Sequence, residues 1–551
     1  MTITFRCVRA LASASFLLVV LTSASGAQGT GLVASSDLAY ADIERLSELG
    51  VLDSTVIGQR PYSRREIARI AGVARARLNG RDARFERVSS FAEGLVRRLE
   101  RFNGAADGGS SDGDIALIDG LTLSFVSTDA NRRGFPAPHS KPVEATIDPL
   151  AQRRLGMPAV RGETGSLEIS HRIEPTSWLA LQARERFEYR RPNDTTLKKD
   201  TGELLLASLR ARIGNLAITV GRQQLTWSQS EGDGLFLASD APALDQVVLS
   251  ADHPFVLPWF LRKLGPTQAT LAIAELGPSA IRSHSKLLTY KLSIQPSNAV
   301  ELGGTFMNHY GGVGGRKSNF SDRLIDFLPF VDVFRTHNYV DTTRTFDVDS
   351  DKLLGVDGRV RLDALGGTML TGELLIDDFD PHRIPKLLTG YGSQTFAIIL
   401  PHLGTPALSA KLSAKHLGIL TYTHGELRDG IASRGRLLGD ELGPDAKSYS
   451  ALVRLASSTG MRLEVEGRSN IYSNASYNSF YPDPGKSKFV VQKIATRPDE
   501  LRDLVFATLI LQPSEGVALT MRGGAERIRN ADFLGGRRRD IIGEIAMRFG
   551  L

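Results

Sequence analysis

The sequence contains almost no cysteine. Its single cysteine is Cys7, close to the start of the 551 residues. For the rest of the chain, disulfide bonds, a thiolate nucleophile and a cysteine-based metal site are therefore excluded. The chain needs another source of stability, and a closed β-sheet, which leaves no unpaired edge, is one such source.

The region around Cys7 is typical of a secretory signal peptide. Arg6 and Arg9 supply the positive start, residues 10–21 form an apolar run, and residues 25–27 are the small residues Ser-Gly-Ala. The run is too short for a permanent anchor, so we predict a signal peptide over residues 1–27 that is cleaved after Ala27. Cys7 precedes the apolar run and is therefore not the lipidated cysteine of a lipoprotein.

Long hydrophobic runs are also missing. After residue 30 no stretch approaches the roughly 18 apolar residues that a membrane-spanning helix needs. This excludes a helical membrane protein but not a transmembrane β-barrel, whose strands expose only alternate residues to lipid. The net charge is +6, and no basic stripe is interleaved with aromatic residues. We therefore expect no nucleic-acid partner.

Residues 28–105 have the 3.6-residue period of amphipathic helices. The segment Ser63-Arg64-Arg65-Glu66 is a capping box, in which the serine and glutamate side chains satisfy free N–H groups at a helix start. We predict a small periplasmic helical domain over residues 28–105 and a linker over residues 106–120, because its first part is rich in glycine, serine and aspartate. The predicted helices span residues 37–49, 64–78 and 82–102.

After the linker the period of the apolar residues changes from 3.6 to 2. The other face carries dense rows of mixed charge, as in Gln182, Arg184, Arg186 and Glu188. The lumen of a large barrel favours such rows because opposite charges neutralise one another around the wall. We predict an all-β transmembrane antiparallel barrel of about 16–18 strands over residues 121–551, with a soluble sheet as the alternative. The longest stretches without alternation, read as loops, are 228–265, 311–350, 378–405, 425–447 and 470–500.

The last residues of the chain favour the barrel. Ile541, Ile545 and Phe549 belong to an alternating apolar strand that continues to Leu551. A soluble domain seldom ends on an intact apolar strand. In a barrel, the last strand pairs with the first and removes the exposed edge. We therefore expect residues 541–551 to close the sheet.

The loop after Trp227 is a first candidate site. Trp227, Glu231 and Asp233 lie in the segment Trp-Ser-Gln-Ser-Glu-Gly-Asp-Gly. An aromatic face can stack on the C–H surface of a sugar, and carboxylates accept hydrogen bonds from its hydroxyl groups. The three residues are therefore candidate saccharide ligands. The alternative is a tryptophan of the interfacial girdle followed by an ordinary turn.

Polar residues at two other strand ends are weaker candidates. Glu373, Asp377 and Asp378 could bind a cation or act as general acid and base. Tyr422 and His424 end another predicted strand. Solvation of loops explains such residues equally well. Because no HExxH, GxSxG, phosphate-loop or dinucleotide motif occurs in a fitting context, we predict no catalytic residue, no metal and no cofactor.

Several of these segments, in this order, resemble the Wzi family of capsule assembly proteins. This sequence differs from the family pattern at two places. It has Trp227-Ser228-Gln229-Ser230 where the family often has Trp-Gly-Pro-Gly, and Asp240-Ala241 where the family often has Asn-Ala. The similar segments are Arg60-Pro61-Tyr62-Ser63-Arg64, Gly221-Arg222 to Trp227, Leu235 to Ala241, Leu264-Gly265-Pro266, Gly372 to Phe379, Tyr422-Thr423-His424 and Leu442-Gly443-Pro444-Asp445.

The resemblance implies an outer-membrane barrel of about eighteen strands, closed on its periplasmic side by the helical domain. It also implies a lectin-like role: outward loops bind and anchor exported capsular or exopolysaccharide at the cell surface, without a reaction. Asp445 joins the candidate ligands through this match. The implied partners are surface polysaccharide, outer-membrane lipid and the outer-membrane assembly machinery, and we expect a monomer.

Two other functions are open on the residues alone. A passive channel suits the charged lumen, provided that the helical domain and the loops leave a pore. A hydrolase would use Glu373, Asp377, Asp378 or His424. We rank the hydrolase last, and expect no enzyme, because no set of nucleophile, base and orienting residue is readable.

Overall fold

The computed structural model describes the following residues: 30–80, 85–105, 114–130, 133–135, 143–147, 160–193, 199–230, 234–280, 282–314, 350–377, 392–419, 421–422, 430–473, 475–480, 490–495, 497–514 and 516–550. The predicted signal peptide lies outside the described residues, as do the candidates Glu231, Asp233, Asp378 and His424. Within these ranges, no helix has the length and apolar character needed to cross a membrane.

Three helices precede the sheet: α1 (Ala39–Glu48), α2 (Arg64–Asn79) and α3 (Ser89–Leu99). The predicted capping box is confirmed at one of its bonds, because Ser63 Oγ accepts a hydrogen bond from the N–H of Glu66 at 3.1 Å. The third helix is shorter than predicted, since a 3-10 turn, Glu100–Ala105, follows it. Helices this short depend on packing for their stability. Their shared core includes Ile43, Leu46, Ile67, Ile70, Leu95 and Leu99.

Eighteen antiparallel strands form a closed barrel, in agreement with the prediction. The sixth strand continues as Phe255–Val256, which pairs with the same neighbour. In chain order the strands are β1 (Asp114–Thr128), β2 (Gly162–Thr176), β3 (Leu179–Pro192), β4 (Asp200–Ile213), β5 (Leu216–Gln223), β6 (Leu244–Ala251), β7 (Pro266–Glu275), β8 (Lys286–Ser297), β9 (Val300–Tyr310), β10 (Ser350–Leu362), β11 (Thr368–Asp377), β12 (Ser393–Leu400), β13 (Leu408–Leu417), β14 (Ala446–Ala456), β15 (Arg462–Tyr472), β16 (Glu500–Ser514), β17 (Val517–Ala531) and β18 (Gly536–Phe549).

Three short hairpins complete the described sheet structure. They lie in the connections between barrel strands and pair only within themselves. The hairpins are Arg133–Phe135 with Val143–Ile147, Ala432–Ser433 with Arg436–Leu437, and Ala475–Phe480 with Val490–Ala495.

The first and last strands close the barrel. Leu121 lies opposite Phe549, and the pairing continues to Thr128 opposite Ile542. The predicted closure is therefore confirmed. The first strand starts earlier than predicted, within the expected linker 106–120, because Asp114 already pairs with a residue of β2 beyond a bulge.

The two faces of the sheet have opposite character. Phe187 is 48% exposed on the outer surface, whereas its neighbour Arg186 is 4% exposed inside. A soluble sheet would not present a continuous apolar outer surface, whereas a transmembrane barrel requires one. The outward apolar residues include Leu123, Phe125, Leu209, Val220, Leu249, Leu292, Leu302, Phe396, Leu412, Val453, Val465, Val505 and Ile545.

The two ends of the barrel also differ. At one end the strand connections are short, such as residues 177–178, 214–215 and 298–299. At the other end they are long, as between β9 and β10. We call these the turn end and the loop end. The helices lie at the turn end, since Arg45 donates to the carbonyl of Pro406 at 2.7 Å and Arg98 donates to that of Ser458 at 2.8 Å.

The apolar outer surface generates a test of the fold. Val505, 61% exposed near the middle of β16, is expected to face lipid. Val505→Arg should destabilise the folded barrel by about 2–4 kcal/mol, the cost of arginine near the bilayer midplane. The measurement is the urea midpoint of heat-modifiable gel mobility in lipid vesicles. Leu534→Arg, which introduces the same residue at an exposed position in a connection, should leave the midpoint unchanged. Equal midpoints for both variants would contradict a lipid-facing position.

Candidate functional site

Polar residues of the barrel wall hold the N-terminal segment inside the lumen. The carboxylate of Glu301 accepts hydrogen bonds from the N–H groups of Ile57 and Gly58, each at 2.9 Å. Glu174 accepts one from the N–H of Gly31 at 2.6 Å. Such charge-assisted bonds are stronger than those between neutral groups. The N-terminal segment is therefore bonded to the inner wall of the barrel at the turn end.

A second segment, the described residues 224–230 and 234–243 between β5 and β6, folds into the lumen from the loop end. Trp227 is completely buried, and its N–H donates to the carbonyl of Leu237 at 2.9 Å. Its ring belongs to an apolar cluster that includes Phe236 and the wall residues Met307 and Leu353. The interpretation of Trp227 as an interfacial girdle residue is wrong, because the ring lies in this interior cluster. In the same conformation the ring is closed to stacking on a sugar.

Tyr422 joins this segment to a neighbouring loop. Its hydroxyl donates to the carbonyl of Leu235 at 2.5 Å and accepts from the N–H of Asp440 at 2.9 Å. Burial, with the nearby charge of Asp440 as the next contribution, raises the pKa of Tyr422 well above its ordinary value. The hydroxyl therefore stays protonated and can serve as the donor.

Glu373 reaches the same segment from the wall. It is 4% exposed, and its Oε2 accepts a hydrogen bond from the N–H of Leu235 at 2.9 Å. The ring of Phe236 packs so closely on β10 that a Cβ atom added to Gly355 would lie 2.3 Å from it. Glycine at position 355 thus makes room for the inward segment.

The structure brings Trp227, Tyr422 and Glu373 together around residues 235–237. Asp377 is buried at the loop end of the same strand as Glu373. The backbone of Asp445 bonds elsewhere, through its N–H to Gly418 at 3.2 Å and through its carbonyl to Ser473 at 3.1 Å. The φ angle of Asp445 is positive, at 51°, which is typical of a residue in a tight turn.

Gln229 links the two segments inside the barrel and was not singled out in the sequence. Its Nε2 lies 3.1 Å from Glu301 Oε1 and 2.5 Å from Asp357 Oδ1. Asp357 also accepts from the buried ammonium of Lys291 at 2.5 Å. The only signal for this role was the departure from Trp-Gly-Pro-Gly, because proline, unlike glutamine, has no side-chain donor at this position.

A cavity of about 360 Å³ lies beside the N-terminal segment. Residues 32–35 and Asp37 form one side of it, and strands β1 to β5 together with Arg548 of β18 form the other. Arg190, Glu203 and Arg434 extend its lining to the loop end. Eight arginines but three carboxylates are among its described lining residues, so the cavity has an excess of positive charge. The sequence placed Arg184 in the lumen but did not indicate this asymmetry.

Asp37 is one of the three carboxylates in the lining. Burial alone would raise its pKa, but Arg101, Arg548 and the N–H of Ala39 together lower the pKa below its ordinary value. The ion pair with Arg101 is the closer one, at 2.6 Å, against 3.7 Å to Arg548. Asp37 is therefore ionised at neutral pH, and its main ion-pair partner is Arg101.

Potential metal ligands are sparse. In the part of the chain that the structure describes, no group of three or more His, Cys, Asp or Glu side chains could hold a metal ion. The carboxylates of Glu301, Glu174 and Glu373 are instead engaged with backbone N–H groups. The chemistry available at these positions is hydrogen bonding and ion pairing.

The fold and its contents define the class: a transmembrane-type antiparallel barrel of eighteen strands with segments folded into its lumen. The sequence model described as capsule assembly protein Wzi matches residues 139–540. The chain therefore belongs to the Wzi family of capsule assembly proteins, as the resemblance predicted. No curated protein sequence matches the chain.

The barrel resembles solved structures to different degrees. One is described as Wzi, an outer membrane protein involved in group 1 capsule assembly in Escherichia coli and a carbohydrate-binding β-barrel. It superimposes with a TM-score of 0.65 at 16% identity, over 95% of this chain and 99% of that chain. Pseudomonas aeruginosa OccD3 (OpdP) reaches a TM-score of 0.42 at 10% identity, covering 80% and 92%. Acinetobacter baumannii OccAB1 reaches 0.42 at 9%, covering 80% and 96%.

The contacts of Tyr422 predict how firmly the inward loops are held. Tyr422→Phe removes the hydroxyl and leaves the carbonyl of Leu235 and the N–H of Asp440 buried without it. This should cost about 1–3 kcal/mol of local stability. Amide hydrogen exchange at residues 431–440 should then accelerate by roughly tenfold or more. Tyr449→Phe, on the outer face, is the matched control and should leave exchange unchanged. Unchanged protection in Tyr422→Phe would mean that the hydroxyl does not hold the loops.

Proposed function

We propose that the protein is an outer-membrane barrel that binds exported capsular or exopolysaccharide and anchors it at the cell surface. The observation that carries this proposal is membership of the capsule assembly family over residues 139–540. The carbohydrate-binding barrel of Escherichia coli, which shares the fold over 95% of this chain, supports it. The proposed role is retention of a glycan, without a chemical reaction.

We place the turn end in the periplasm and the loop end outside the cell. Barrels of the outer membrane have short periplasmic turns and longer extracellular loops. Trp259 and Phe260, 87% and 75% exposed at the turn end, would then lie in the aromatic girdle of the inner leaflet. This orientation agrees with export through a signal peptide over residues 1–27 and with a periplasmic helical domain over residues 28–105.

The candidate site residues divide into two proposed roles. Trp227, Glu373 and Tyr422 are buried and bonded to the inward segments, so their role is to position the loops. We assign direct contact with polysaccharide to loop-end carboxylates and to His424. The proposed ligands are Glu231, Asp233, Asp378, His424 and Asp445, whereas Asp377, which is buried like Glu373, is placed with the positioning residues.

Two alternatives have less support. A passive channel requires an open lumen. The N-terminal segment is instead bonded to the wall at Glu301 and Glu174, and the second segment is bonded to it at Glu373. A hydrolase that used Glu373 would need this carboxylate at a solvent-accessible position, whereas it is 4% exposed. We therefore favour binding over transport or turnover.

A deletion strain tests the proposed function. Loss of the protein should leave polysaccharide synthesis intact but shift the polymer from the cell-associated fraction to the culture medium. The intact gene supplied in trans should restore retention, and so should Leu534→Arg, which lies outside the proposed ligands. The proposal fails if the deletion strain keeps its polymer attached and the purified protein binds no glycan.

Planar-bilayer recording tests the channel alternative separately. The two segments bonded into the lumen should keep the purified full chain from carrying a steady ion current. Glu301→Ala removes the acceptor of the Ile57 and Gly58 N–H groups, so brief openings should become more frequent in this variant. Steady conductance of the unmodified protein, at the level of an open porin, would favour the channel over the binding role.

A further inference from the structure

The arginine-rich cavity has a geometry that suits an extended ligand. Gln182 and Arg190, both in its lining, lie on the same strand eight positions apart. At ~3.3 Å per residue this is a length of about 26 Å along the strand. The volume of about 360 Å³ is within the usual range for ligand sites. Because this volume is spread over the length of the strand, the cavity is long and narrow, and we call it the passage.

Two guanidinium groups of the lining converge on one neutral oxygen at the edge of this passage, that of Ser36, whose neighbours Ser35 and Asp37 are lining residues. Arg184 Nη1 and Arg548 Nη2 each donate to Ser36 Oγ, and both distances are 3.4 Å. Bonds of this length are at the weak limit for hydrogen bonds. The two cations therefore share an acceptor that neutralises neither of them.

Glu168, Asp37 and Asp119 act on Arg184 electrostatically, but among the described residues no carboxylate forms an ion pair or a hydrogen bond with it. In the described part of the chain, its hydrogen-bond partners are the hydroxyls of Ser170, at 3.0 Å, and Ser36. The carboxylate nearest to Arg548, that of Asp37, is engaged more closely by Arg101. Other arginines of the lining have acidic partners: Arg172 pairs with Asp119, Arg222 with Asp245, and Arg434 with Glu203.

We propose that this passage binds a carboxylate-bearing saccharide, with one carboxylate between Arg184 and Arg548 at the position near Ser36 Oγ. Guanidinium groups match carboxylates in shape and charge, and the fit allows paired N–H···O bonds. The narrow passage accommodates a linear chain rather than a compact anion. This inference rests on the proposed polysaccharide-binding function and specifies its ligand class as an acidic glycan.

The test is calorimetric titration of the full chain in detergent with trigalacturonic acid. Its methyl ester, which has the same length without charge, and glucose 1-phosphate are the comparison ligands. The acid should bind at least about tenfold more tightly than the ester, because each charged hydrogen bond contributes strongly to affinity. Glucose 1-phosphate should bind more weakly than the acid. The assignment of a carboxylate is overturned if acid and ester bind equally, if neither binds, or if the phosphate binds best.

Variants locate the site. Arg184→Gln should weaken binding of the acid at least about tenfold, and the double variant with Arg548→Gln should abolish it. Arg212→Gln is the matched control, since Arg212 donates to the carbonyl of Gly214 at 2.8 Å and is outside the cavity lining. Heat-modifiable mobility verifies that each variant is folded. Wild-type affinity in Arg184→Gln overturns the proposal.

Ser36→Asp gives an independent test that removes no arginine. Its carboxylate would occupy the proposed anion position, so the variant should lose affinity for the acid and keep or raise its thermal stability. Wild-type affinity in Ser36→Asp would likewise overturn the assignment. If the protein binds the host polysaccharide and retains it on cells while Arg184→Gln has no effect, this inference fails and the proposed function stands.

Discussion

The hydrogen bond between a wall carboxylate and an N–H group of the main chain is the interaction on which the interior depends. Segments without regular structure enter the barrel from both ends, and their N–H groups cannot all find partners among themselves. Unsatisfied groups at membrane depth cost several kcal/mol each. Glu174, Glu301 and Glu373 supply the missing acceptors at Gly31, at Ile57 and Gly58, and at Leu235.

The carboxylates that accept these bonds need neutralisation of their own, and this explains the mixed rows of charge on the inward face. Arg502, only 2% exposed, pairs with Glu500 at 2.7 Å and with Glu526 at 3.1 Å. Arg172 joins Asp119 to Glu174 in the same way. Ion pairs that are buried and also hydrogen-bonded offset the cost of removing both charges from water. The wall thus holds carboxylates in place for the main chain that enters.

The regular parts of the fold could be predicted from the sequence because their signals are local. Alternation along each strand gave the barrel, and the apolar strand that ends in Phe549 gave the closure with β1. Two strands were nevertheless missed: Leu244–Ala251 and Ser393–Leu400 lie within stretches read as loops. Both lie between long irregular neighbours, so their alternation was read as part of the surrounding loops.

The candidate site was less predictable because its contacts are remote in sequence. Glu373 and Leu235 are 138 positions apart, and Glu301 and Ile57 are 244 positions apart. The residue types of Trp227 and Tyr422 predicted aromatic rings in loops, but no local pattern states whether a loop folds outward or into the lumen. Their burial follows from the empty volume of a wide barrel, which apolar side chains can fill.

Buried charges need neutralisation in the cavity beside β1 to β5 as well, and there the arginines outnumber the carboxylates. Elsewhere in the lumen arginines are paired with acids, as Arg210 is with Asp252 at 2.8 Å and Arg522 with Glu544 at 3.0 Å. Among the described residues, Arg184 hydrogen-bonds only to serine hydroxyls, and the acids near it form no ion pair with it. A cation held in a narrow space with low-dielectric walls raises the local concentration of anions. The positive excess therefore distinguishes a region that attracts a ligand from the regions in which charge only supports the fold.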